Sequence, residues 1–197
     1  MQTIGIFIYP NAEVLDFSGP FEVFSTANRL TPTPVFKVLL IAEQAGPLLA
    51  RGGFSVTPHC AITNHPPLDL LLLVGGDHSE VITRRPVLDW VAEQGAKVAY
   101  RSSVCTGVFL WAEAGVLSSE TVTTHHQDID DLRNHYPGLT VIGNRRWVEQ
   151  GDFISSAGIS AGIDMSLYWL QRLHGRELAE ATARQMEFDW QSDPLGR

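Results

Sequence analysis

Short apolar runs alternate along the chain with stretches whose apolar residues recur at helical spacing. The runs Thr3–Tyr9, Phe36–Ala42, Leu68–Val74, Lys97–Ser103, Thr121–Thr124 and Leu139–Ile142 predict strands. Leu70 to Val74 is apolar without a break, the signature of a strand buried on both faces of a parallel sheet. Helices are predicted at Phe21–Arg29, Val87–Glu93, Gly107–Ala114, Asp128–His135, Ala161–Leu173 and Glu177–Phe188. Two segments predict β-hairpins: Leu48–Arg51 with Phe54–Thr57 around Gly52-Gly53, and Trp147–Glu149 with Asp152–Ser155 around Gln150-Gly151. Strand and helix alternation of this kind predicts one three-layer α/β domain over residues 1–197, with a central, mostly parallel sheet.

Composition narrows the function classes. Acidic residues outnumber basic ones 22 to 14 and the net charge is −8, so neither a basic excess nor a basic stripe marks a nucleic-acid partner. The longest apolar run is far too short to span a bilayer and holds Asp69. No basic segment precedes an apolar signal core, and the two cysteines, Cys60 and Cys105, make no disulfide framework or C-x-x-C metal spacing. A cytoplasmic protein without metal or cofactor is the expectation, with a small molecule as its partner.

An open parallel sheet binds ligands beyond the carboxyl ends of its strands. The residues expected there are Asp16 after the first strand, Gly75-Gly76 after Leu68–Val74, Cys105-Thr106 after Lys97–Ser103, and His125-His126 after Thr121–Thr124. Cys105 falls at a strand-to-helix joint, where a tight turn pushes a nucleophile out of the sheet. A helix starting near Thr106 is expected to lower its thiol pKa. The amide of Thr106, with one from Gly75 or Gly76, is expected to hold a developing oxyanion. Asp16 precedes Gly19-Pro20, with Pro20 expected in the first turn of a helix. Adjacent histidines on an extended segment are expected to point apart, leaving His125 to line the pocket. Cys60 and Asp164 are expected to be structural, and His78 to lie near the pocket.

In order along the chain stand Leu15-Asp16-Phe17-Ser18-Gly19-Pro20, Val74-Gly75-Gly76, Ser103-Val104-Cys105-Thr106-Gly107, Ala112-Glu113-Ala114-Gly115-Val116-Leu117, Thr123-Thr124-His125 and Gly158-Ile159-Ser160-Ala161-Gly162-Ile163-Asp164. Together they resemble the ThiJ/PfpI superfamily, also called class I glutamine amidotransferase-like. The resemblance implies a flavodoxin-like fold with a nucleophile elbow at Cys105. It points to two groups. One is the isocyanide hydratases, for which it implies catalysis by Asp16, Cys105 and Thr106 and conversion of an isocyanide to an N-substituted formamide. The other is the sensor domain of AraC-type regulators. This chain ends soon after its last predicted helix, with no room for a helix-turn-helix, so the second expectation is a stand-alone ligand-sensing module. Thr106 stands where PfpI-type proteases carry histidine, and no His-x-Glu of the glutamine amidotransferases follows. The resemblance also implies a homodimer.

Overall fold

The structure is a computed structural model that describes residues 1–195. The strands are β1 (Gln2–Phe7), β2 (Phe36–Ala42), β3 (Leu48–Leu49), β4 (Ser55–Val56), β5 (Cys60–Ala61), β6 (Leu70–Leu73), β7 (Tyr100–Val104), β8 (Thr121–Val122), β9 (Thr140–Val141), β10 (Trp147–Gln150) and β11 (Phe153–Ser156). The helices are α1 (Val14–Arg29), α2 (Arg85–Gly95), α3 (Gly107–Glu113), α4 (Ile129–His135), α5 (Ala161–His174) and α6 (Arg176–Gln185).

Seven strands form one sheet in the order β10-β11-β7-β6-β1-β2-β5, parallel except for the β10–β11 hairpin. Helix α1 packs with α5 and α6, and α2 packs with α3. The apolar run Leu70–Leu73 lies at the middle of this sheet and is fully buried, as its unbroken pattern requires. The chain leaves β1 toward β2 on one side and returns through β6 on the other. This reversal of strand order makes the carboxyl ends of β1 and β6 a crevice.

Several elements differ from their sequence patterns. Helix α1 begins at Val14, not Phe21, and Pro20 stands inside it. Pro20 lacks the N–H that would bond the Asp16 carbonyl, which loosens the helix locally. The segment Thr121–Thr124 supplies only β8, which pairs with β9 in a separate two-stranded sheet. Strand β5 has no sequence signal, since only two residues pair with β2. The Leu48–Thr57 hairpin forms as β3–β4, but its connection is a helical turn at Arg51–Gly53 rather than two glycines alone. The second hairpin turns at Gly151-Asp152, one residue later than the pattern predicts.

Candidate active site

Cys105 follows β7 with φ of +57°. A side chain held in the left-handed region costs roughly 1–3 kcal/mol, a strain that clusters at functional turns. Its amide donates to Ser156 O at 3.1 Å and to Ala157 O at 3.4 Å, and its carbonyl accepts from Thr124 Oγ1 at 2.9 Å. The elbow is therefore fixed on both sides by neighbouring segments. Gly107 begins α3 directly against β6: a Cβ there would lie 2.1 Å from Leu73 O. Glycine thus lets the helix start where it holds Cys105 over the sheet edge.

Asp16 lies on the first turn of α1, fully buried. The segment before it is laced to the end of β6. Glu13 N donates to Gly75 O at 2.9 Å, and Asp77 N donates to Asn11 O at 3.1 Å. Two amides then hold the carboxylate: Gly75 N to Oδ2 at 3.0 Å and Ile159 N to Oδ1 at 3.1 Å. Burial pushes the Asp16 carboxyl up to about 7; the two amides and a hydrogen bond from the Cys105 thiol oppose that rise. A helix-capping role is excluded, because the N-cap of α1 is Glu13 and no side chain caps it.

The expected acidification of Cys105 does not occur. Burial pushes the thiol up, and the Asp16 charge pushes it further, while the Thr106 amide pulls the other way. A seven-residue helix beginning at Gly107 does not offset a site this enclosed, in which Cys105 is only 7 % exposed. Burial and the neighbouring carboxylate both favour the neutral thiol over the thiolate.

The Gly75 and Gly76 amides are also placed differently from the expectation. Gly75 N serves Asp16, and Gly76 N donates to Thr106 Oγ1 at 3.1 Å. Thr106 Oγ1 in turn donates to Gly76 O at 3.1 Å. Neither glycine amide is left for an oxyanion; the Thr106 amide, directed at the sulfur, is the donor that remains. The glycines instead allow close approach: a Cβ on Gly75 would lie 2.5 Å from Thr106 N and 2.7 Å from Cys105 Cβ.

His125 completes the cluster. A Cβ on Gly158 would meet His125 Cδ2 at 2.2 Å and Cys105 Sγ at 3.4 Å, so ring and sulfur face the same glycine. Nδ1 of His125 lies 3.2 Å from Asp128 Oδ2. His125 and His126 do not point apart. A tight turn begins at His126, and the two rings lie 4.3 Å apart. His78 packs on Phe109 with ring centroids 4.8 Å apart. Tyr9 was not singled out by the sequence. It is buried and donates to Val74 O at 3.2 Å; burial, with the nearby Asp16 charge adding, pushes its phenol well above the usual range. Tyr9 also lines a cavity of about 360 Å³ together with Pro10, Glu43, Leu48, Val81 and Arg84. Cys60 is half-buried on β5, away from this cluster. Among the described residues no group of three or more His, Cys, Asp or Glu side chains is placed to hold a metal. No helix among them is long and apolar enough to cross a membrane.

A parallel α/β sheet with a strained cysteine elbow and a buried carboxylate beside it defines a class of thiol-bearing sites. The DJ-1/PfpI family profile matches residues 2–172, and the chain belongs to that family. It is 30 % identical over 187 residues to the isonitrile hydratase of Pseudomonas putida, covering 94 % of this chain and 78 % of that protein. It is 23 % identical to the HTH-type transcriptional regulator GbdR of Pseudomonas aeruginosa over 95 % of this chain, and spans about half of the regulator's length. The crystal structure of a ThiJ/PfpI family protein from Pseudomonas syringae superposes with a TM-score of 0.86 at 26 % identity, covering 95 % of this chain and 75 % of that one.

Proposed function

We propose that the protein is a cysteine-dependent enzyme acting on a small molecule, with an isocyanide as the substrate and an N-substituted formamide as the product. The observation that carries this reading is a buried carboxyl, Asp16, set beside the Cys105 elbow and held by the Gly75 and Ile159 amides, with burial pushing it up to about 7 and its charge opposing ionisation of the thiol. The 30 % identity to an isonitrile hydratase supports the choice of substrate.

The terminal carbon of R–N≡C accepts both a nucleophile and a proton. In this reading Cys105 Sγ attacks that carbon and forms the S–C bond. Asp16 delivers a proton to the same carbon and receives the thiol proton, which leaves a thioimidate, Cys–S–CH=N–R. Water adds across the C=N bond, the C–S bond breaks, and the sulfur regains a proton. One isocyanide and one water give one formamide. The Thr106 amide stabilises charge at the sulfur as it departs, Thr106 Oγ1 holds Gly76, and His125 walls the site. A carboxyl near 7 suits both giving and taking a proton near neutral pH.

The regulators that share this domain support a second reading, a stand-alone ligand-sensing module. Turnover separates the two. Isocyanide hydration by the wild type, lost in both Cys105→Ala and Asp16→Asn, supports the enzyme. The enzyme reading is overturned by tight binding without turnover, or by full activity in Asp16→Asn. A homodimer, without nucleic acid or membrane as partner, belongs to the same proposal; sedimentation as a monomer at micromolar concentration overturns that part.

A further inference from the structure

Arg146 lies in the segment before β10, yet it grips the loop that covers Asp16. Its carbonyl accepts from Ala157 N at 2.8 Å, and its Nη2 reaches Ser160 Oγ at 3.4 Å. These contacts bracket Gly158 and Ile159. Gly158 is the residue on which His125 and the Cys105 sulfur both rest, and Ile159 N donates to Asp16. Ile159 holds φ of +57°, a conformation that a β-branched residue does not keep without outside constraint.

The outside constraint is anchored deeply. Arg146 Nε donates to Asp164 Oδ2 at 2.5 Å, and Nη2 pairs with the same carboxylate. Asp164 is fully buried at the start of α5. Its other oxygen accepts from Gln191 N at 2.8 Å, its carbonyl accepts from Trp190 Nε1 at 3.2 Å, and Arg146 N donates to Pro194 O at 2.8 Å. Residues 190–194, the start of α5 and the segment before β10 thus meet at one ion pair directly behind the loop. Removing either partner of such a pair is costly, because it strands a buried charge.

We infer that Arg146, clasped by Asp164, is a positioning residue for the Asp16–Cys105 pair: it holds the Gly158–Ile159 turn so that the Ile159 amide meets the carboxylate. This rests on the reading of Asp16 and Cys105 as a working pair. The amide favours ionised Asp16, so loosening the turn withdraws that support and raises the pH at which Asp16 ionises. The other groups facing the pair are Glu13 on the residue before α1, Tyr9 beyond β1, and Asp128 with His125 beyond β8. None of these is touched by Arg146.

The test is the pH profile of Cys105 alkylation by iodoacetamide in a Cys60→Ser background, followed by mass spectrometry, which needs no substrate. Ionising Asp16 opposes thiolate formation, so the wild-type profile should break where Asp16 titrates, and Asp16→Asn should remove the break. In Arg146→Gln/Asp164→Asn, which removes the ion pair as a unit, the break should move up by about one pH unit. Arg146→Lys keeps the charge but not the fork, and should give a smaller shift in the same direction. Arg176→Gln, which breaks a surface pair, should leave the profile in place. If the break is lost in Asp16→Asn but stands unmoved in every folded Arg146 variant, the clasp is overturned while the pair stands. If the Asp16→Asn and wild-type profiles coincide, the pair fails and the clasp with it.

Discussion

Gly107 and Leu73 lie so close that no side chain fits between them, since a Cβ on Gly107 would stand 2.1 Å from the Leu73 carbonyl oxygen. The first turn of α3 is pressed onto the end of β6, and Cys105 is carried on that turn. Gly107→Ala should therefore push the helix off the strand and destabilise the fold by roughly 1–3 kcal/mol. Urea unfolding measures the loss, and a stability equal to the wild type contradicts the packing described.

Ser102 ties three elements together beneath the elbow. Its hydroxyl donates to Ile154 O at 2.8 Å and accepts from Trp169 Nε1 at 3.1 Å, while its carbonyl accepts from Trp111 Nε1 at 2.8 Å. Ser102→Ala strands the Trp169 N–H inside the core and should cost roughly 1–3 kcal/mol. The loss should be visible as a lower urea midpoint with an unchanged slope, and a midpoint within error of the wild type counts against it.

The Thr106 hydroxyl holds both the N–H and the C=O of Gly76. Thr106→Ser keeps those bonds and should retain stability. Thr106→Val leaves a part-buried N–H unpaired and should lose about 1–2 kcal/mol. Equal behaviour of the two variants in thermal unfolding would remove the hydroxyl from the account.

Asp16 sets a pH dependence whose sign is fixed. Its carboxyl titrates at about 7 in the fold, against roughly 3.9 in an unfolded chain. The native state therefore holds the extra proton between those values, and its stability falls as pH rises through them. Relative to Asp16→Asn, the wild type should lose on the order of 2–3 kcal/mol between pH 5 and pH 8. Unfolding free energies across that range test it; parallel curves for the two proteins would show that Asp16 is not perturbed.

Much of this was legible in the sequence, for identifiable reasons. The sheet was, because Leu70–Leu73 is buried throughout and lacks polar interruption, and Phe36–Ala42 is broken only by the exposed Lys37 near its start. The clustering of Asp16, Gly75, Cys105 and His125 was legible too, because chain order and strand order place all four at one edge. The start of α1 was not: Pro20 signals a first turn locally, but residues 9–13 are already committed to the end of β6 and force the helix to begin at Val14. The upward push on the Cys105 thiol was hidden as well, since it comes from burial, and the Gly158 loop that packs on the sulfur lies 53 residues away. Arg146 carried no motif, and only its position against Asp164 and Ala157 distinguishes it.

The sheet ends in two short borders. On one side β5 offers two residues, between Pro58 and the Pro66-Pro67 pair; on the other, β10 offers four. A second molecule seeking to extend the sheet would find almost no open backbone to pair with, and proline close by on the shorter side. Growth into fibres by strand addition is disfavoured most at the two-residue β5 border. The sheet that carries the elbow therefore presents little of its own backbone to a neighbour at the β5 side.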